Sequence, residues 1–324
     1  MPQNNHGKSL LAIGECMVEL ASFDHSEELC RLGFAGDTLN ALIYAKRWDS
    51  SLKCAFYSAI GVDNFSNKVL SFFERHEIDA EYVARSRNRN IGLYSIVIDR
   101  EGERSFDYWR EQSAARSMMS LHQARNTVIK DVDIIFFSGI ALSIMSENDK
   151  QNLIELVSAC KSGGVKIAFD PNYRPAMWSG HDHAKLWFDK AYQLSDIALP
   201  GLDDHRAVYG HENVNDIVDH LNSLGCREFV VKAGKQGMLA YVDGVCVCQQ
   251  PFKPEKQTDT TAAGDSFAGV YLAARLNDKD VATSVAAADA MARQVVQYHG
   301  AIVPQESTEK AKNEFKQQCG KGEY

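Results

Sequence analysis

The run Asp259-Thr260-Thr261-Ala262-Ala263-Gly264-Asp265 holds the chain's densest set of groups able to do chemistry. Phe267, Val270, Tyr271 and Ala274 follow at helical spacing, so a helix is expected to begin at Gly264 or Asp265. The first amides of a helix have no partner inside it, and small side chains leave room for a ligand. Ala262, Ala263 and Gly264 can therefore aim N–H groups at an anion. Asp265 would lie beside that anion, its carboxylate within reach of a bound hydroxyl. An anion pocket next to a base is what phosphoryl transfer requires. The competing reading is that Asp265 only caps the helix, as Asp commonly does.

The rest of the chain must position this stretch. Apolar runs at 9–13, 54–60, 132–138, 165–169, 196–199 and 228–232 read as strands, with helical stretches such as 147–161, 183–194 and 280–297 between or after them. Such alternation implies an α/β fold with a doubly wound, mostly parallel sheet and helices on both faces. Ligands then sit at the carboxyl ends of the strands. One strand is followed by Asp170-Pro171-Asn172-Tyr173-Arg174-Pro175, a stiff loop carrying one Arg. Lys232 leads into Ala233-Gly234-Lys235-Gln236-Gly237, a glycine turn suited to close contact with a nucleotide, and Asp204 with Asp203 could orient a hydrated Mg²⁺.

Two further segments point toward a ligand. In Gly33 to Asn40, Gly36 permits close approach, and Asp37 and Asn40 could bond sugar hydroxyls, although residue types alone favour Asp37 as a helix cap. The polar stretch up to Arg31 and the hairpin 92–98/105–110 read as a small β-flap leaving the main sheet. Alternation places Phe106, Tyr108 and Arg110 on one face, either closing over a negatively charged ligand or leaving Arg110 in solvent on an ordinary half-buried strand.

Composition narrows the function classes. The 324 residues are 45% hydrophobic, enough for a large core. The formal net charge of −8, with 35 dispersed Lys and Arg, disfavours a nucleic-acid or membrane-surface role. The polar N-terminus lacks the apolar segment of a signal peptide, so a cytoplasmic location is expected. Eight scattered cysteines without a Cys-x-x-Cys pair read as reduced thiols. Gly7-Lys8-Ser9 is no phosphate-binding P-loop, because Pro2 stands where its first glycine is required, and no Gly-x-Gly-x-x-Gly follows the first strand.

The stretch 259–265 resembles the C-terminal signature of the PfkB, or ribokinase-like, carbohydrate kinases, with Ala262 where the family usually has Gly. Gly36-Asp37-x-x-Asn40 is similar to that family's sugar-binding motif. Ile13 to Leu20, Ala35 to Asn40, Tyr108-Trp109-Arg110 and Asn172 to Pro175 look like the branch acting on 2-keto-3-deoxygluconate.

The resemblance implies one kinase domain over 1–324, with a lid from about 15–35 and 90–112 inserted in it. It implies that Gly36, Asp37, Asn40, Tyr94, Tyr108, Arg110 and Arg174 hold a sugar acid. Arg174, Lys232, Gly234, Gly237, Ala262, Ala263 and Gly264 would surround ATP, with Mg²⁺ bridging phosphates and Asp265 as base. The family's Asn-x-x-Glu is replaced here, Gly201 standing for the Asn and Asp204 for the Glu, which leaves Asp204 a metal role only through water. A monovalent cation is left open. An exposed flap edge would favour pairing with a second subunit. A fructokinase-like activity or an inactive sugar sensor are the alternatives.

Overall fold

The computed structural model describes residues 7–23, 26–98, 104–253 and 255–320. Its strands are β1 (Ser9–Ile13), β2 (Met17–Phe23), β3 (Ser26–Ala35), β4 (Lys53–Ile60), β5 (Ile78–Asp79), β6 (Val83–Arg85), β7 (Gly92–Ile98), β8 (Arg104–Trp109), β9 (Ile134–Ser138), β10 (Lys166–Asp170), β11 (Ile197–Ala198), β12 (Glu228–Lys232), β13 (Met238–Val242) and β14 (Val245–Gln250). A ten-stranded sheet runs β14-β13-β12-β11-β10-β9-β1-β4-β5, with β6 beside β4. Its pairs from β12 through β11, β10, β9 and β1 to β4 are parallel, whereas β13 and β14 are antiparallel at one edge.

Burial on both faces explains the apolar runs. In β1, Leu10 and Ala12 face one core, and Leu11 and Ile13 face the other. The expected mostly parallel α/β sheet is therefore present. Several elements are shorter than the sequence suggests, because the polar residues at their ends serve other partners. The carboxylate of Asp196 accepts the Ile167 amide rather than extending β11, and Asp280 caps the helix Val281–Val295 through the Thr283 amide at 2.8 Å.

A second, four-stranded sheet of order β3-β2-β7-β8 stands apart from the first. It is antiparallel at β2/β3 and β7/β8, and parallel at β2/β7. Val18 and Phe34 root it in the core, while Phe106, Tyr108 and Trp109 are exposed on β8.

Two helices matter most for the site, Asp37–Trp48 and Ala263–Leu276. The second starts one residue before the expected Gly264, because Ala262 adopts φ 60 and turns the chain into the helix earlier. The two helices pack so closely that a β-carbon on Gly269 would run into the Ala41 carbonyl oxygen. Gly269→Ala should therefore force the helices apart and cost about 1–3 kcal/mol in urea unfolding, despite alanine's better helix propensity.

Candidate active site

The close packing at Gly269 brings the N-terminal ends of both helices together at the carboxyl ends of the strands. Neither helix is capped by a side chain at Gly36 or Ala262. Asn40 donates from Nδ2 to Oδ2 of Asp265 at 2.8 Å, and the Gly36 amide donates to Asn40 Oδ1 at 3.4 Å. Asn172 donates to Asp37 Oδ2 at 3.0 Å. The carboxylates of Asp37 and Asp265 thus face side-chain amides and not the first-turn backbone, so the reading of either as a helix cap is set aside.

Burial, and then the neighbouring charge of Asp37, push the Asp265 carboxyl up to about 7; the Asn40 hydrogen bond works against them, Asp170 adds to the rise, and Arg174 opposes it. This carboxyl titrates near neutrality, the range suited to a general base.

The turn before the helix is built by Asp259, whose carboxylate accepts the amides of Thr261 at 2.9 Å and Gly300 at 2.7 Å. Ala262 then sits in left-handed backbone geometry, which any side chain makes costly and which accounts for glycine being usual there. One expectation needs correction. The Ala263 amide donates to the Thr260 carbonyl at 3.2 Å, closing the turn, so it does not join an anion pocket in this state. The amides of Ala262 and Gly264 have no acceptor among the described residues.

Lys232, at the carboxyl end of β12, pairs through Nζ with Asp170 Oδ2 at 2.6 Å at the end of β10. A β-carbon on Gly264 would lie 3.8 Å from that Nζ, so the cation stands beside the helix start. Gly234 and Gly237 have φ 55 and 85, and a side chain on Gly237 would strike the backbone of Gln250 to Phe252. Between this turn and the helix lies a cavity of about 240 Å³, walled by Met238, Phe252, Phe267 and Val296 and reaching Lys232 and Gly264.

Asp204 completes the floor. Its Oδ1 accepts the Tyr173 amide at 3.2 Å, and burial pushes its carboxyl up to about 6, with Lys232 and Arg174 opposing and Asp170 adding to the shift. Among the described residues no group of three or more acidic, His or Cys side chains is arranged to hold a metal ion. The donors near Asp204 fit a cation held through water and phosphate oxygens, not one caged by the protein. Arg174 is exposed and donates from Nη1 to the Tyr173 carbonyl at 3.0 Å.

A second group lies on the flap. Tyr94 and Tyr108 stack at 5.8 Å, and the Arg110 guanidinium lies 5.7 Å from the Tyr108 ring centre. Arg110 follows the last residue of β8, so it leaves the strand while keeping to the Tyr108 side. Two partners differ from the sequence reading. The Tyr94 hydroxyl donates to Glu19, and Arg110 Nη2 donates to Glu15, so neither group points only at open space. Arg110 Nη1 meets Met177 Sδ at 3.6 Å, tying the flap to the segment after Arg174.

Glu15, Glu19, Asp170 and Asn172 were not singled out from sequence. Two acids inside the otherwise apolar run 13–20 were the available signal for the first pair, and position at a strand end for the second.

The pfkB family carbohydrate kinase model matches residues 8–308. The chain belongs to the pfkB family of carbohydrate kinases. It is 35% identical over 307 residues to the 2-dehydro-3-deoxygluconokinase of Escherichia coli K12, covering 93% of this chain and 98% of that one. The 2-dehydro-3-deoxygluconokinase structure from Thermotoga maritima has a TM-score of 0.78 at 18% identity over 94% and 98% of the two chains. A putative ribokinase II from E. coli, in complex with ATP and Mg²⁺, has a TM-score of 0.79 at 19% identity over 95% and 99%. No helix among the described residues is long and apolar enough to cross a membrane.

The raised Asp265 carboxyl has a sign that can be measured. A folded-state value of about 7 against an ordinary 3.8 means that its contribution to stability is intact below 3.8 and is lost as pH rises through about 7. The stability of Asp265→Asn relative to the unaltered protein should grow in urea unfolding between about pH 4 and about pH 8. A difference independent of pH would mean that Asp265 is ionised throughout.

Proposed function

We propose that this kinase transfers the γ-phosphoryl group of ATP to the 6-hydroxyl of 2-keto-3-deoxygluconate, giving 2-keto-3-deoxy-6-phosphogluconate. The observation that carries the substrate assignment is the 35% identity, over nearly the full length of both chains, to a relative named for that reaction. The site's chemistry supports it: a sugar acid brings a carboxylate that needs cationic donors, and Arg110 and Arg174 supply them on the sugar side.

In this reading Gly36, Asp37 and Asn40 receive the sugar hydroxyls, and Tyr94 and Tyr108 line the flap side. Asp265 takes the proton of the attacking hydroxyl, with Asn40 fixing the orientation of its carboxylate. The amides of Ala262 and Gly264, together with Lys232, stabilise charge that develops on the transferred group, and the Ala263 amide would join them only if the Thr260 contact opened. The adenine end of ATP occupies the cavity beside Gly234 and Gly237. Mg²⁺, when bound, neutralises the phosphate oxygens, and Asp204 with Asp170 would hold it through water. The segments 15–35 and 90–112 form a lid on a single domain, and closure keeps water from the phosphoryl group.

The deciding experiment is ATP-dependent phosphorylation of a panel of sugars and sugar acids. Turnover of 2-keto-3-deoxygluconate above all neutral keto-sugars is expected. Activity confined to fructose-like sugars would overturn the assignment, and no turnover of any would indicate a sensor. Asp265→Asn should cut turnover by roughly 10²- to 10⁴-fold with nucleotide binding retained. Arg110→Met should raise KM for the sugar acid steeply, by a contact worth about 1.5–3 kcal/mol, with little change for a neutral keto-sugar.

A further inference from the structure

The polar groups behind Arg110 are arranged in an unusual way. The Glu15 side chain is 1% exposed although it is acidic and lies two residues past the end of β1. One oxygen accepts from Arg110 Nη2, and the other, Oε1, has no hydrogen-bond partner among the described residues. Arg110 is 11% exposed, and its Nε is also buried without a partner among the described residues. The guanidinium is therefore held at one corner by a charge and at another only by the thioether of Met177, a weak acceptor. The surroundings make room for this pair. A β-carbon on Gly92 would lie 2.9 Å from Glu15 Oε1, and one on Gly36 would meet the Glu15 carbonyl.

Burying such an ion pair is not a route to stability, since desolvation takes back most of the attraction. Its use is geometric. A carboxylate lying against Gly92, on a backbone held close to Gly36, sets the plane of the guanidinium and leaves Nη1 as the donor turned toward the loop after Arg174. A substrate anion would replace the thioether there with a far stronger acceptor.

We propose that Glu15 is a positioning residue that presents Arg110 to the acidic end of the substrate, and so sets the preference for sugar acids over neutral sugars. This rests on the reading of Arg110 given above. Glu15 itself does not touch the substrate.

Two variants separate reach from charge. Glu15→Asp keeps the charge but withdraws the carboxylate by one methylene. Glu15→Gln keeps the reach and an accepting oxygen. With 2-keto-3-deoxygluconate, Glu15→Asp should raise KM about tenfold or more with kcat little changed, and Glu15→Gln should stay within about threefold. Neither should alter KM for a neutral keto-sugar. The double variant Glu15→Asp/Arg110→Met should be no worse than Arg110→Met alone, because both changes remove one interaction. Additive losses, or equal losses on acid and neutral sugars, would overturn the proposal while leaving Arg110's role standing. An inert Arg110→Met would instead remove the reading of Arg110 and this inference with it. Thermal unfolding of each variant checks that the fold persists; destabilisation without the KM difference would make Glu15 structural only.

Discussion

The contact between Gly269 and the backbone of Ala41 sets how near two helix ends can come, and the site depends on that distance. With no side chain at 269, the helices Asp37–Trp48 and Ala263–Leu276 approach until Asn40 can donate to Asp265. The two helix starts lie beside the carboxyl ends of parallel strands, Thr38 against Gly14 just past β1 and Gly264 near Lys232 at the end of β12. Packing thus converts two distant segments, 225 residues apart at Asn40 and Asp265, into one hydrogen-bonded unit.

The charges gathered there oppose one another by design of position. Asp37, Asp170, Asp204 and Asp265 crowd one cleft, answered by Lys232, which pairs with Asp170, and by Arg174 at the rim. Burial and this crowding raise Asp204 and Asp265 above the usual carboxylate range. The raised value at Asp265 lowers stability as pH rises through about 7. Lys232 belongs to the same balance, because its ammonium stands between the strand-end carboxylate and the helix start where an anion would add charge of the opposite sign.

The flap obeys a different constraint. Its aromatic face is exposed on β8, and its polar groups, Tyr94 with Glu19 and Arg110 with Glu15, are tied to acids from the segment that leaves β1. The same short segment 15–19 therefore links the rigid sheet to the second sheet and supplies the counter-charges for both flap donors. Met177 adds a contact from the opposite side, so the guanidinium spans flap and loop.

Much of this was legible in the order of residues. Apolar runs with two-sided burial announced the parallel sheet, and the ordered small residues before Asp265 announced the start of a helix. Residue type at Ala262 was informative because its left-handed backbone has a local cause. Pairing partners were not legible. Whether Tyr94 met substrate or Glu19, whether the Ala263 amide was open or closed on Thr260, and whether Arg110 stood alone or against Glu15 depended on distances between segments far apart in the chain. Sequence by itself determined the sheet, which follows from periodicity and local backbone preference, and through the resemblance of its motifs the family and the chemical types at the site. Only the tertiary structure decided which charges neutralise one another and where a carboxylate's proton affinity is shifted, because electrostatic and hydrogen-bond energies turn on burial and on separations of a few ångströms that no spacing in the chain encodes.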